Sequence, residues 1–254
     1  MDKIHINIIG GGNVATHLIR EFLKHPEIHL QQLYARNLDQ LKEFEGIATL
    51  INDLNLLTPA DITIVAVSDD AIASIARQLE NYPSLVVHTS GSKSMEELQN
   101  LEKGVFYPFQ SFSKERKQIN FKNVPVLIEA ENPENLEKLT FLGNILSDKV
   151  YEMNSSQRKA LHIAGVFAAN FTNHMYVLAH QIMKENNIPF DLIVPLIHEV
   201  AEKVSNLPPI EAQTGPAVRN DLKTIEEHLA ALDKSKKKIY ELLTQSIIEN
   251  KNLK

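Results

Sequence analysis

The 254-residue sequence predicts an α/β domain in residues 1–153 and an all-helical domain in residues 154–254. In the first part, short and nearly continuous apolar runs alternate with helical patterns. This alternation is typical of a parallel sheet whose strands are buried on both faces. After residue 153, helical patterns dominate and no strand pattern is evident. Hydrophobic residues make up 43% of the chain and charged residues 23%, as expected for a globular protein.

The apolar runs of the first domain predict six strands, at residues 4–9, 29–35, 62–67, 85–88, 105–107 and 124–128. A helix is predicted over residues 13–24, where apolar side chains recur at helical spacing. In the second domain, residues 154–186 form one continuous helical pattern. Because this segment is apolar nearly all round, we expect its helix to be buried.

The charge and the cysteine content exclude several classes of function. The chain has 26 basic and 32 acidic residues, and its net charge of −6 argues against general nucleic-acid binding. It has no cysteine, which excludes disulfides, thiolate catalysis and cysteine-ligated zinc. The first residues lead directly into a predicted strand without a signal-peptide pattern, and the apolar run at residues 163–169 is too short to span a membrane. We expect a cytoplasmic protein that binds neither a membrane nor a metal ion.

A glycine-rich turn follows the first predicted strand and opens the first predicted helix. Gly10, Gly12, Asn13, Val14 and Ala15 match the pattern GxGxxA in this context. The first glycine permits the tight turn, the second lets a pyrophosphate approach the backbone, and the alanine allows close packing of helix and strand. The free N–H groups at the helix start attract phosphate. The turn therefore predicts a dinucleotide site, although a glycine-rich turn without a ligand would look the same.

The end of the second strand indicates which dinucleotide is bound. Arg36 and Asn37 stand there, and Arg36 lies 36 − 15 = 21 positions after Ala15, close to the usual spacing of about 20. An NAD site places a carboxylate at this point, whereas an arginine suits the 2′-phosphate of NADP. The alternative is a solvated arginine. We therefore predict NADP(H) as the cofactor.

Two further strand ends carry small polar residues. The candidates for contact with the cofactor there are Val67, Ser68, Asp69, Thr89 and Ser90. Open α/β sheets bind their ligands at the carboxyl ends of parallel strands. Ser68 and Asp69 are equally explained as the start of a helix. His88, at the end of an apolar strand, is more simply explained as a core histidine with its hydrogen bonds made.

The long predicted helix carries a polar stripe. At about 100° per residue, His162, Asn170, Asn173 and His174 lie near 0°, 80°, 20° and 120°, within one third of the helix circumference. Buried polar groups need partners. The stripe therefore predicts either an active site or a hydrogen-bond network with the other domain or a second subunit; scattered exposure is the remaining alternative.

A third candidate segment is residues 214–221, with the sequence TGPAVRND. Gly followed by Pro predicts the start of a helix. Arg219 would then lie in a first helical turn, where its charge opposes the helix dipole unless an anion compensates it. It is a candidate for binding a substrate carboxylate. A structural network between Arg219 and Asp221, or a helix cap, explains the segment better.

With these residues in hand, the chain resembles a family of uncharacterised proteins assigned as NADP oxidoreductases, with a Rossmann domain followed by a helical domain of unknown function. The matching stretches are GGGNVA, YARN, VAVSDDAI, HTSGS, YPFQSF, QRKALHIAGVFAANFTNH and TGPAVRND. The wider relatives that it resembles are pyrroline-5-carboxylate reductase, ketopantoate reductase, the hydroxyisobutyrate and 6-phosphogluconate dehydrogenases, and deazaflavin-dependent NADP reductases. The resemblance implies a 6-phosphogluconate-dehydrogenase-like helical domain, an active site between the domains, and dimerisation through the helical domain.

These observations favour an NADP(H)-dependent oxidoreductase acting on a small polar metabolite. We expect His162 to act as general acid and base, since an imidazole exchanges protons near neutral pH. Asn170 and Asn173 would orient the substrate, and Ser90 would bond its reacting oxygen or nitrogen. His174, like Arg219, is a candidate for binding the substrate. The rival hypotheses are an NADP-binding sensor without catalysis and a deazaflavin-dependent NADP reductase. The surplus of apolar helix surface also predicts a homodimer built on the helical domain.

Overall fold

The computed structural model describes residues 3–100, 102–116 and 118–251. Its sheet contains the strands β1 (Ile4–Ile9), β2 (Ile28–Tyr34), β3 (Thr49–Ile51), β4 (Ile62–Val65), β5 (Leu85–His88), β6 (Lys103–Pro108), β7 (Val126–Ala130) and β8 (Val150–Glu152). They lie in the order β3-β2-β1-β4-β5-β6-β7-β8. The six predicted strands are all present, and none of their ends differs from the prediction by more than two residues. The predicted α/β fold is confirmed.

The apolar runs predicted a parallel sheet, but one pair of strands in the observed sheet is antiparallel. The strands from β3 to β6 pair in parallel, but β7 pairs antiparallel with β6, and β8 pairs in parallel with β7. The described residues between β6 and β7 contain only the short 3₁₀ turn Phe121–Asn123. A parallel crossover is usually made by a helix, so this connection returns the chain in the opposite direction.

Four helices accompany the sheet: α1 (Asn13–Phe22), α2 (Asp69–Gln78), α3 (Pro133–Leu146) and α4 (Ser155–Gly165). One core cluster joins Ile6 and Ile8 of β1 to Leu18 and Phe22 of α1, while a second contains Ile9. The neighbouring residues Ile8 and Ile9 therefore enter different cores, which is why both are apolar. The two cores fix the carboxyl ends of the central strands, where the glycine turn begins.

The chain forms two compact units, residues 1–169 and 170–254. The change of composition at residue 153 coincides with the end of the last strand, β8. The first unit continues beyond that point and includes α4. The domain limit after residue 153 stays a prediction.

The helix predicted over residues 154–186 is present as consecutive segments. It begins at α4, continues as a π-helical segment (Val166–Phe171) and ends as α5 (Thr172–Glu185). The prediction that it is buried is wrong for the single chain. Of its described residues only Arg158 is buried.

The described residues of the second unit form helices joined by short turns, without a strand. Besides α5 it contains α6 (Val194–Asn206), α7 (Pro209–Ala212), α8 (Pro216–Arg219), α9 (Leu222–Ala231) and α10 (Lys234–Lys251). Among its described side chains only Ala217, Ile225 and Lys236 are buried. Large apolar side chains such as Leu192 and Leu196 stay exposed. The unit therefore lacks the buried core that a free-standing helical domain needs. Within the described residues, no helix has the length and apolar character to cross a membrane.

Candidate active site

A cavity of about 760 Å³ opens in the first unit beyond the carboxyl ends of β1, β2 and β4. Of the predicted cofactor residues, its lining contains Gly10, Gly12, Asn13, Val14, Arg36, Asn37, Val67 and Ser68. Ala15, Asp69, Thr89 and Ser90 do not line it. The cavity lies where the strand order reverses between β1 and β4, the usual ligand position in a doubly wound sheet.

The two predicted glycines of the turn differ in their surroundings. Gly10 has φ +137°, and a Cβ atom there would lie 2.2 Å from the carbonyl oxygen of Ala66. Gly12 would tolerate a Cβ atom, since no described atom lies within 4 Å of that position. Gly10 is thus required by the fold, whereas the space beside Gly12 is open to a ligand.

The start of α1 is suited to an anion. Gly12 is the N-cap, no side chain caps the helix, and the first turn has no acidic residue. The first N–H groups and the positive end of the helix dipole are therefore available to phosphate oxygens. Asn13 uses its side-chain amide to bond the carbonyl oxygen of Phe112 at 3.1 Å, so its backbone is the part that faces a ligand. Ala15 is fully buried in the core between helix and sheet.

The rim of the cavity after β2 carries an unpaired positive charge. Arg36 is exposed, and among the described residues its guanidinium has no hydrogen-bond or ion-pair partner. The Asn37 side-chain oxygen accepts a bond from the backbone N–H of Asp39 at 3.0 Å, which leaves the Asn37 amide group as a donor. Asp39 is not part of the cavity lining. The rim can therefore bind a phosphate without a carboxylate opposing it.

The polar residues after β4 divide into two roles. Ser68 lies at the N-cap position of α2 but makes no capping hydrogen bond, and it lines the cavity. Asp69 accepts a short hydrogen bond from the Ser92 hydroxyl in the loop after β5. Val67 also lines the cavity. Ser68 thus remains available to a ligand, while Asp69 links two neighbouring loops.

The loop after β5 is held by internal hydrogen bonds. The Ser90 hydroxyl oxygen accepts bonds from the backbone N–H groups of Ser92 (3.1 Å) and Lys93 (3.0 Å). Thr89 and Ser90 are both buried. The Ser90 hydroxyl therefore stabilises the loop after β5. Its bond to a reacting substrate atom stays a prediction.

His88 organises the same loop as a neutral ring. Its Nδ1 accepts from the backbone N–H of Ser90 at 3.1 Å, and its Nε2 faces the carbonyl oxygen of Ser94 at 3.1 Å. These partners require the proton on Nε2. Burial lowers the pKa of His88 to about 4, so the ring stays uncharged at neutral pH. The interpretation of His88 as a core histidine is confirmed.

Arg158, on α4, is a residue that the sequence did not single out. Its side chain is fully buried and forms an ion pair with Glu129 of β7. It also donates to the carbonyl oxygens of Ser90 (3.1 Å) and Lys93 (2.6 Å) and to the Ser155 hydroxyl (3.1 Å). One guanidinium thus ties α4 to the loop after β5.

His162 lies one turn further along α4. Its Nδ1 is 3.1 Å from the hydroxyl oxygen of Tyr107, which belongs to β6. A Cβ atom on Gly91 would lie 2.6 Å from this Nδ1 and 2.7 Å from the Tyr107 ring. Both rings therefore rest directly against the backbone of the loop after β5. The Tyr107 partner is the second feature that sequence reasoning missed.

The remaining candidates belong to the second unit. Asn170, Asn173 and His174 are exposed in the single chain. The π-helical segment at residues 166–171 closes its turns over five residues, so the wheel calculation at 100° per residue does not hold across it. The predicted common stripe is therefore not an α-helical face. Their proposed roles in catalysis and substrate binding stay predictions.

Arg219 does not stand in the first turn of a long helix. The predicted helix start is present, with Gly215 as N-cap and proline next, but α8 has only four residues and Arg219 is its last. The positive charge therefore lies at the favourable end of the helix. The Asp221 carboxylate caps α9 by accepting from the Thr224 N–H (3.2 Å) and hydroxyl (2.8 Å), and these bonds lower the pKa of Asp221. Carboxylate binding by Arg219 stays a prediction.

The chain is similar along nearly its whole length to a protein of Bacteroides fragilis that is provisionally assigned as an NADP oxidoreductase. The two are 40% identical, with a TM-score of 0.88, and the match covers 97% of this chain and 98% of the other. The chain belongs to the family of that protein. The resemblance predicted from the sequence motifs is confirmed.

Two further comparisons concern the domain and the fold. Residues 124–247 match the family model described as a domain of unknown function, DUF2520. A protein of Thermotoga maritima is 23% identical, with a TM-score of 0.73 and coverage of 96% of this chain and 97% of that one. An imine reductase of Myxococcus stipitatus, solved in complex with NADP⁺, is 16% identical, with a TM-score of 0.66 and coverage of 98% and 93%. These two likenesses show that the family shares its fold with them. No curated protein matches the chain significantly.

Proposed function

We propose that this protein is an NADP(H)-dependent oxidoreductase that transfers a hydride to or from a small polar metabolite. The observation that carries the proposal is the cavity at the uncapped start of α1, with the unpaired Arg36 at its rim. Its volume lies within the range of ligand pockets. The provisional assignment of the Bacteroides fragilis relative and the NADP⁺ complex of the imine reductase support the same cofactor.

The cavity suits the pyrophosphate and the 2′-phosphate of NADPH, which take no part in hydride transfer. The N–H groups at the start of α1 would bind the pyrophosphate, and Gly12 leaves the space that it needs. Arg36 and the Asn37 amide group would bind the 2′-phosphate through charge-assisted and neutral hydrogen bonds. Gln40, Ser74 and Gln78, which the sequence did not single out, also line the cavity. No group of three His, Asp or Glu side chains within the described residues is arranged to hold a metal ion.

His162 is the proposed proton donor in the direction of reduction. When NADPH is bound, its nicotinamide supplies the hydride. The imidazolium of His162 would protonate the oxygen or nitrogen of the reduced bond and recover its proton from solvent. Among the described residues, Nε2 of His162 has no hydrogen-bond partner, so this nitrogen can approach a substrate.

The test is NADPH oxidation, followed optically, against a panel of keto acids, imines and aldehydes. Ligands are first selected by the rise in melting temperature that they cause in the presence of NADP⁺. We expect turnover of at least one class, and a loss of about 100-fold or more in kcat for His162→Ala. NADPH binding without turnover of any compound would favour the sensor hypothesis. Full activity of His162→Ala would remove His162 from the mechanism.

A homodimer built on the helical unit is the second part of the proposal. Only two apolar side chains of that unit, Ala217 and Ile225, are buried among those described. Leu192 of the 3₁₀ turn before α6, Leu196 of α6 and Leu242 of α10 are among the exposed ones. Exposed apolar surface on this scale is typical of a protein interface. A second copy of the chain would cover this surface with the same apolar residues, as in a symmetric dimer.

A further inference from the structure

We propose that Tyr107 is a positioning residue that assigns the exchangeable proton of His162 to Nε2, and that Gly91 provides the space for this pair. The inference rests on the proposed function, because it concerns the proton step of that reaction. It assigns a role to two residues that lie 55 and 71 positions from His162 in the sequence and that no motif connected with it.

The contact between Tyr107 and His162 occupies the Nδ1 side of the imidazole. Nδ1 of His162 lies 3.1 Å from the hydroxyl oxygen of Tyr107, and the rings meet edge to face at 6.2 Å between centroids. The position of a Cβ on Gly91 is only 2.6 Å from the same Nδ1. A substrate therefore has no room beside Nδ1, and Nε2 is the nitrogen that remains accessible.

The Tyr107 hydroxyl suits both protonation states of its partner. As an acid, His162 is an imidazolium with a proton on each nitrogen, so Nδ1–H donates to the Tyr107 oxygen. After Nε2 has given its proton to the substrate, Nδ1–H keeps the same bond. When the ring instead carries its only proton on Nε2, the tyrosine hydroxyl can donate to Nδ1. The ring thus keeps its orientation throughout the proton transfer.

The surroundings of Tyr107 keep its hydroxyl protonated. Burial raises the pKa of Tyr107, the carboxylate of Asp69 adds to this effect, and the cation of Arg158 opposes it. Tyr107 also packs edge to face on Phe109, with 6.1 Å between ring centroids. A tyrosine in this setting is a poor proton donor at neutral pH, which favours a positioning role over an acid role.

The first experiment is a kinetic cycle on the full-length protein with Tyr107→Phe, His162→Ala and the double variant. We expect Tyr107→Phe to lower kcat by about 10- to 100-fold, with the KM for NADPH changed less than about threefold. In the His162→Ala background the same change should have no further effect, since Tyr107 acts through His162. The matched control is Tyr151→Phe, which removes the hydroxyl of an exposed tyrosine. Unchanged kcat in Tyr107→Phe, or losses that multiply in the double variant, would overturn the proposal.

A second measurement does not depend on turnover. In protein with ¹⁵N-labelled histidine, we expect the Nδ1 proton of the His162 imidazolium to be visible and protected from solvent exchange. It should be lost by exchange in Tyr107→Phe and remain in Tyr151→Phe. Gly91→Ala should also remove the signal, because its Cβ displaces both rings. Equal exchange in wild type and Tyr107→Phe would refute the pairing, even if the protein proves to be an oxidoreductase. A protected proton in a protein without turnover would refute the function alone.

Discussion

The guanidinium Nε of Arg158 donates to the carbonyl oxygen of Ser90 at 3.1 Å. This bond joins α4, the helix that carries His162, to the loop that follows β5. The same guanidinium is paired with Glu129 of β7, so a single buried cation connects a helix, a loop and a strand. Gly91, the residue after Ser90, is the one whose backbone supports His162 and Tyr107. The position of the proposed proton donor therefore depends on Arg158.

We expect Arg158→Met to destabilise the protein by about 3–5 kcal/mol, the typical cost of leaving the partner of a buried ion pair uncompensated. Glu129 would lose its cation, and the carbonyl oxygens of Ser90 and Lys93 would lose their donors. Urea unfolding measures the change. The matched control is Arg77→Met, at an exposed position of α2. A difference below about 0.5 kcal/mol between the two variants would contradict the expected role.

His88 predicts that the protein loses stability in mild acid. Its pKa is about 4 in the folded protein against an ordinary value of 6.5, so the unfolded chain binds the proton more readily. Keeping the His88 ring neutral therefore contributes about 3 kcal/mol to the free energy of unfolding above pH 6.5. This contribution is lost as the pH falls from 6.5 to 4. Unfolding free energies measured across this range should fall less steeply in His88→Gln. An equal slope in the two proteins would refute the assignment.

The two glycines of the turn predict opposite outcomes for the same substitution. Gly10→Ala should destabilise the protein by about 2 kcal/mol or more, since φ is +137° and the new Cβ meets the Ala66 carbonyl oxygen. Gly12→Ala should cost less than about 1 kcal/mol, because its Cβ enters open space. It should nevertheless weaken NADPH binding at least tenfold by occupying the place of the pyrophosphate. Thermal unfolding of both variants measures the loss of stability, and fluorescence titration measures the loss of NADPH affinity. If Gly12→Ala bound NADPH with full affinity, this turn would be excluded as the phosphate site.

The sequence predicted the features whose residues are close together along the chain, and it did not predict the contacts between residues that are far apart along the chain. The glycine turn and Arg36 follow their strands directly, so local pattern and spacing were enough to place them at one cavity. The pairs Tyr107–His162 and Glu129–Arg158 join residues 55 and 29 positions apart, and no period or spacing connects them. The wheel calculation for the polar stripe does not hold for a different reason, because the π-helical segment at residues 166–171 interrupts the α-helical period.

The exposed apolar surface of the helical unit predicts a dimer at micromolar concentration. Sedimentation equilibrium should give twice the mass of the chain. Leu196→Glu, in α6, should shift the protein towards monomers, because it places a charge on that surface. Leu56→Glu is the matched control, since Leu56 is as exposed as Leu196 (57% and 59%) but belongs to the first unit. A monomeric wild-type protein would refute the dimer.

The choice of NADPH over NADH depends on Arg36. The 2′-phosphate carries close to two negative charges, and a guanidinium can meet it with two charge-assisted hydrogen bonds. Such bonds contribute about 1.5–3 kcal/mol, so we expect roughly a ten- to hundredfold preference for NADPH. Titration of the purified protein with both cofactors measures it. Because Arg36 is unpaired among the described residues, Arg36→Ala should remove most of the preference without disturbing the fold or NADH binding, whereas Arg77→Ala should leave the preference intact. Equal affinities in the wild type, or an unaltered preference in Arg36→Ala, would show that the rim after β2 does not bind the phosphate.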